Sequence, residues 1–366
     1  MRLSSTLSVY VGKHFIISFL LLLSLFLMLI YLFDIVELLR RSASKQGVTF
    51  SLILKMALLK LPYMCQKIFP FATLFATMAC FWRLTRSNEL VVTRSAGVSA
   101  WQFLLPPVII AALLGTLQIT TINHLGSNML SRFEQIEAVR FQGSRNLLAL
   151  SGSSIWLRQS NAKGQSVIHS KRVVQNEKEI ELLKLIIFMY AGSDTFLKRI
   201  DAKSAQLEDG FWKIKNAWIY EPEKPAVYEN TYWLDTDLTI DKIQDSFAPP
   251  ETMSFWHLSG FINTLELAGF SALRHRLYWH SLLAAPLLMV AMVLIGAAFT
   301  LRHSQRAATS HIIGSGVLTG FGLYFFSDVA FALGLSDSIP VPLAAWSPSA
   351  IALLLGLATL LHMEDG

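Results

Sequence analysis

The sequence predicts an α-helical membrane protein with six transmembrane helices, three and three, and an all-β sandwich or barrel-like domain inserted between the trios. Of its 366 residues 53% are hydrophobic and only 15% are charged, against about 25% charged in soluble domains. Much of the chain therefore meets lipid, in keeping with a mean hydropathy of +0.47. Six runs are apolar for about 20 residues, enough for a helix to cross a hydrocarbon core about 30 Å thick. Between the third and fourth runs the texture changes to short alternating segments punctuated by turn-formers.

The first run, Phe15 to Val36, is too long for a cleavable leader and has no small-residue cleavage site after it, so it is read as a retained span. It leads into "DIVELLRRSASKQG". On a helix Glu37 and Arg41 stand four apart in the order that favours an ion pair, while Arg40 has only Val36 at that spacing. Arg40 and Arg41 read equally as snorkelling interfacial residues or as guanidinium groups receiving lipid phosphate or carboxylate. The second span, Tyr63 to Trp82, holds both cysteines, Cys65 and Cys80. Fifteen residues of helix part them by roughly 22 Å, so they cannot bridge and are read as packing residues.

Spans two and three are joined through "FWRLTRSNELVVTRSAGVSAW". Ser87 is the expected N-cap of a helix from Asn88 to Ala96, with Gly97 as its left-handed stop. Glu89 then lies in the first turn, where the helix dipole favours an anion. A local capping role would account for it. Yet so short a helix with a β-branched "VVT" run would scarcely form alone, so it is expected to dock. A cytoplasmic ATPase with a basic-lined groove would suit Glu89, Leu90 and Val91, with Arg86 at the approach.

The third span, Ala100 to Ile122, continues outward as "SNMLSRFEQIEAVRF". Residues 124–275 then carry runs such as "LLKLIIFMY", "FWKIKNAWIY" and "TYWLDTDLTI" separated by "NAKG", "YAGSD", "LEDG" and "EPEKP". That is the pattern of a β-domain of about 100–130 residues, large enough for its own core. Before span four, "SFWHLSGFINTLELAG" sets Leu258, Phe261, Ile262 and Leu265 on one helical face, with Ser254 as N-cap and Gly269 as stop. This piece is amphipathic and reads as interfacial. The second trio runs Trp279 to Leu301, His311 to Leu333 and Val341 to Leu361. In the fifth span Gly316 and Gly320 form a small-xxx-small pair, either a fixed helix interface or a helix that parts to admit substrate. The expected organisation is thus residues 1–123, 124–275 and 276–366.

With both termini inside, Arg83, Arg86, Arg94, Arg302 and Arg306 fall on the inner side, as the positive-inside rule requires. Arg40, Arg41, Lys45, Arg274 and Arg276 then fall outside against that bias, which marks the outer rim as a place to hold something anionic. Asp328 is expected to be solvated or capped. The chain carries no G-x-x-x-x-G-K-[ST] segment, so any ATP is used by a partner. No histidine spacing suggests a metal site, no residue is assigned a catalytic role, and no nucleic acid is expected as a partner. A receptor merely anchored in the membrane would need only one or two spans. A secondary carrier would place ionisable residues or broken helices at mid-membrane, where this sequence has almost none.

"RSNELVVTRSAGVS" after a second span, the 3 + β + 3 plan, "PETMSFWHLSGFINTLELAG", and "LAAWSPSAIALLLGLATLLHMEDG" at the end together resemble the lipopolysaccharide-export permeases of the LptF/LptG type. The likeness covers essentially the whole chain and leans to the LptG branch. It implies a multi-pass protein of the Gram-negative inner membrane with cytoplasmic termini and a periplasmic jellyroll. It implies as partners a second six-span subunit (LptF-like), a dimeric cytoplasmic ATPase (LptB-like) that uses ATP and Mg, a bitopic LptC-like protein and an LptA-like bridge of similar jellyrolls. Lipopolysaccharide would enter from the outer leaflet through a gate of spans one and five and be pushed upward when ATP closes the cavity. Glu89 matches the acidic residue of the family's coupling helix, and Arg40 and Arg41 match its paired basic residues facing lipid phosphates. Where the family can carry a further basic residue this chain has Asp34, so that contact is expected elsewhere, at Arg132 or Arg274.

Overall fold

A computed structural model describes residues 5–43, 48–95, 97–141, 155–161, 164–176, 179–191, 195–208, 210–222, 224–236, 249–267, 271–302 and 309–364. Lys45, Gly269 and Arg306, singled out above, lie outside the described residues. The chain divides into two compact units. One comprises residues up to Phe133, Met253–Leu258 and Leu273 onward, and the other Glu134–Thr252 with Ser259–Ala272.

The first unit is helical: α1 (Ser5–Ser42), α2 (Phe50–Arg86), α3 (Glu89–Ser95), α4 (Ala100–Leu117), the beginning of α5 (Asn123–Arg140), the first turn of α6 (Phe255–Leu267), α7 (Leu273–Arg302), α8 (Thr309–Leu335) and α9 (Val341–Glu364). Six of its helical stretches are long and apolar enough to cross a membrane. They outrun the apolar windows of the sequence. α1 has 38 residues and α2 has 37, about 55 Å of helix each at 1.5 Å per residue. Hydropathy marks only the part in hydrocarbon, whereas backbone hydrogen bonding carries each helix on into the polar zone.

α7 is the centre of this unit, packed against α2, α4 and α9. Its small residues allow that: Ala284, Ala285, Ala291, Ala297 and Ala298 are all buried. Glycines on its neighbours and on α7 itself bring backbones together. A Cβ on Gly115 of α4 would stand 2.5 Å from the Pro286 Cα, and one on Gly296 would stand 2.9 Å from the Leu74 carbonyl oxygen. Around this frame Phe15 and Phe19 of α1, Phe69, Ala76 and Phe81 of α2, Phe103 of α4 and Met289 and Val293 of α7 form one apolar core. Between α4 and α5 the helix passes through a π-helical turn, Gln118–Ile122.

The second unit holds six antiparallel strands, β1 (Ile155–Asn161), β2 (Gly164–Asn176), β3 (Glu179–Ala191), β4 (Thr195–Glu208), β5 (Phe211–Tyr220) and β6 (Val227–Asp235), each paired with its neighbours in sequence. Laid flat, five strand spacings would hold β1 and β6 about 24 Å apart. Instead the buried Gln159 of β1 accepts a 2.5 Å hydrogen bond from the Thr236 hydroxyl just beyond β6 and donates to the Asp235 carbonyl at 3.1 Å. The sheet is therefore rolled until its two edges meet. Its concave side carries Ile168, Leu182, Leu185, Ile187, Ile200, Ile214 and Trp212 as a core. The domain expected between the trios is present as this rolled meander.

The rolling coincides with a crease. The strand register skips Lys171, Lys184, Lys203, Asn216 and Asn230 on five successive strands. Lys184 and Asn216 have positive φ, 52° and 55°. On β3, β4 and β5 the alternation changes phase at the skip. Leu182 and Leu185 both point inward, as do Ile214 and Ala217, three apart where a regular strand would require two or four. Bulge-like irregularities of this kind bend strands.

Candidate functional site

The loop helix between spans two and three differs from expectation in a telling way. It is α3, Glu89–Ser95, only seven residues, and Ser87 is not its N-cap but the C-cap of α2, with its backbone N–H on the Arg83 carbonyl. Asn88 turns the chain at φ 60°. The Ser87 hydroxyl donates to a Glu89 carboxylate oxygen at 2.7 Å, and the Tyr10 hydroxyl of α1 lies near enough to interact with the same carboxylate. These two hydroxyls, Ser87 first, hold the Glu89 carboxyl below its ordinary pKa, since hydrogen bonds to the charged form favour it. Gly97 takes the left-handed conformation expected of it, at φ 85°.

Leu90, expected to face a partner, is instead buried in the helical core, only 6% exposed. In a helix this short one side chain must anchor it, and the most apolar one available does so. Val91 and Val92 are the exposed pair. Arg86 is exposed and lies over the Trp82 ring, 5.2 Å from its centroid.

At the opposite end of α1 the ion pairing is also redistributed. Arg40, rather than Arg41, takes Glu37, in a two-pronged bond at 2.8 and 2.9 Å across three residues. The guanidinium reaches one turn back more easily in this rotamer, and it remains largely exposed. Arg41 is exposed beside it. Asp34 is paired with Lys60 of α2 at 2.7 Å, both side chains being largely buried. The Phe133 ring of α5 lies 6.0 Å from the same ammonium, which puts α5, and with it the exposed Arg132, at this end of α2. Arg274 stands exposed in the first turn of α7. Lys60 escaped sequence reasoning because the second apolar run was begun at Tyr63. The signal was there: an acid such as Asp34 inside an apolar run demands a cationic partner.

A second unforeseen constellation is polar and buried. Gln118 of the π-turn donates to the Gln66 carbonyl at 3.2 Å. Asn123 donates to the Gln66 side chain at 3.2 Å and lies 3.4 Å from the Tyr278 hydroxyl of α7. Its own carbonyl accepts from the Phe255 backbone at 2.7 Å. One amide thus joins α2, α5, α6 and α7. Ser254 precedes α6 as expected, with Leu258 N–H on its carbonyl and its hydroxyl 3.3 Å from the His257 ring. Leu258, Ile262 and Leu265 are buried, while Phe261 is half-buried at the edge of that face.

Gly316 and Gly320 both turn toward α2. Added Cβ atoms would meet Met78 Sδ at 2.6 Å and the Phe71 ring at 3.1 Å. On other faces of α8, Val317, Leu318, Phe321 and Phe325 are more than half exposed. Asp328 is exposed, as expected.

Residues 9–362 match the family model of the lipopolysaccharide export system permease LptF/LptG. Among individual proteins the chain is similar to the lipopolysaccharide export system permease protein LptG of Haemophilus influenzae, 22% identical over 81% of this chain and 82% of the relative. It is similar also to LptG of Escherichia coli K12, 23% identical over 83% and 84%.

Proposed function

This chain belongs to the LptF/LptG family of lipopolysaccharide export system permeases, a multi-pass inner-membrane protein that is not itself a catalyst, and from that premise we propose that it is the LptG-type subunit. Both relatives named above carry that name. In this reading the α3 side is cytoplasmic and the rolled sheet periplasmic. A second six-span LptF-like subunit completes the cavity, and an LptB-like ATPase dimer using ATP and Mg docks on α3. An LptC-like bitopic protein and an LptA-like bridge receive the lipid.

The observation that carries the reading is the tie between Glu89 and Tyr10. α3 continues from α2 through Ser87 and offers Val91 and Val92 outward, yet its carboxylate lies close to Tyr10 of α1 and interacts with it. A displacement of α3 by a docked ATPase is therefore delivered to α1 directly, and to α2 and α4 through the chain. α1 and α8, the two spans least enclosed by the rest of the unit, act as the gate that admits lipopolysaccharide from the outer leaflet. Arg40, Arg41 and Arg132 receive its phosphates, with Lys60 as a further cation held ready by Asp34 and Arg274 at the start of α7. Rigid-body motion of this kind needs a firm frame and loosely held gates.

The test is Glu89→Arg in the complex reconstituted with its ATPase. The variant is expected to lose ATPase assembly, or to hydrolyse ATP without releasing lipopolysaccharide. Normal assembly together with normal release would remove coupling from α3.

A further inference from the structure

The crease of the rolled sheet has an outward side, and its chemistry is unlike the rest of the β unit. Lys171, Lys184 and Lys203 lie at successive skipped positions on β2, β3 and β4, all exposed. Neighbouring strands are about 4.8 Å apart, so three ammonium groups spring from about 10 Å of sheet. Lys215, exposed on β5 and paired in register with Ser204, extends the row. Like charges on adjacent strands are destabilising, and here one of them sits at a positive φ that L side chains rarely adopt. Among the described residues no carboxylate is paired with any of the four. The acid of the neighbouring row, Asp201, is held by Arg199 through two 2.6 Å bonds, and Glu181 lies three residues from Lys184 along β3.

Beside the lysines stands an aromatic platform. Trp218 and Tyr228 face each other across β5 and β6 with ring centroids 5.2 Å apart, and they are 46% and 49% exposed. The alternation puts Trp218 on the lysine side, because Ala217 and Ile219 flank it on the core side. The Tyr228 hydroxyl donates to Asn216 in the crease at 2.8 Å. Large exposed rings with a polar tip suit ligands that present both an apolar face and hydroxyls. Ammonium groups on a rigid sheet suit phosphate or carboxylate as point charges.

We propose that this outer face, Lys171, Lys184, Lys203 and Lys215 with Trp218 and Tyr228, binds an anionic oligosaccharide, with phosphate or carboxylate groups on the lysines and sugar rings on the aromatic pair. Given the export reading above, on which this rests, the ligand is the charged saccharide portion of the glycolipid being moved. The face reads the sugar.

The test uses the full permease complex in nanodiscs with a photo-crosslinking residue at Leu183, which lies in the row next to Lys184. A second preparation carries it at Leu39 on the rim. The probes are lipopolysaccharide with its complete phosphorylated core, lipid A alone, and phosphatidylglycerol. Expected is an adduct at 183 with the complete glycolipid only, reduced roughly five- to ten-fold, about 1–1.4 kcal/mol, by Lys184→Gln with Lys203→Gln and, separately, by Trp218→Ala. Raised salt should weaken the adduct, because exposed charges are screened. Equal adducts in wild type and both variants, or an equal adduct with phosphatidylglycerol or with lipid A alone, would overturn the proposal. Adducts at 39 but none at 183 would reject this inference and spare the export reading; adducts at neither position would reject both.

Discussion

α1 and α7 are both long apolar helices, yet 61% of the most apolar window of α7 is buried against 11% of that of α1. The difference lies in side-chain size. α7 offers alanine and glycine to three neighbours, so backbones close on it from several sides. α1 is leucine, isoleucine and phenylalanine around its whole circumference, and it packs on the unit along one face, with Leu22, Leu23 and Phe26 at its middle against the core. Val11, Phe15 and Phe19 are buried near one end, where Tyr10 lies close to Glu89, and Leu38 near the other with the Asp34–Lys60 pair. The other face of its middle, Leu21, Leu25, Met28 and Phe33, is exposed. A helix held along one face can swing away from it; a helix enclosed on all sides cannot.

Four experiments break or sharpen that contrast. The largest effect is expected from Gly115→Ala, which drives a methyl against the α7 backbone at Pro286; overpacking of this kind costs roughly 2–3 kcal/mol and should appear as a lowered thermal midpoint of the purified protein. Lys60→Met leaves the Asp34 carboxylate without its partner in a largely buried place, and should cost about 1–2 kcal/mol while loosening the C-terminal end of α1 in hydrogen exchange. Gly316→Ala meets the flexible end of Met78 at 2.6 Å and the edge of the Phe75 ring at 3.2 Å, and the helix gains up to about 1 kcal/mol from replacing glycine, so its stability should stay within about 0.5 kcal/mol of the parent. A large loss there would show α8 to be part of the frame. The smallest effect is that of acid. The Glu89 pKa is lowered in the fold, so its contribution is complete above the ordinary carboxylate value and disappears as pH falls through the lowered one. Exchange protection of the α3 amides should follow that curve, and Glu89→Gln should flatten it.

The helical trios were legible because hydropathy is a sum over many residues and tolerates local error. The rolled sheet was legible as a domain but not as a register. The phase changes at Lys184 and Asn216 break the alternation on which strand reading depends, and nothing about a lysine announces a positive φ. At the α3 end Glu89 and Gly97 could be placed from spacing, whereas the facing of Leu90 depended on which side of a seven-residue helix met the bundle. Arg40 and Arg41 were found as charges but not as partners. Lys60, Asn123 and Tyr10 act across elements far apart in sequence, and such contacts leave only an indirect trace: an acid or amide in an apolar setting that must be satisfied by something.

The order of the strands bears on how the domain is made. Each strand bonds to the one synthesised before it, so the sheet can grow in the order in which the chain is made, with no strand waiting for a distant mate. Local pairings of this sort fold quickly and leave few edges unoccupied for long. The first strand is joined to the last through Gln159, which bonds both Thr236 and the Asp235 carbonyl. Assembly is thereby divided into a vectorial stage that needs no finished domain and a single closing event that reports its completion.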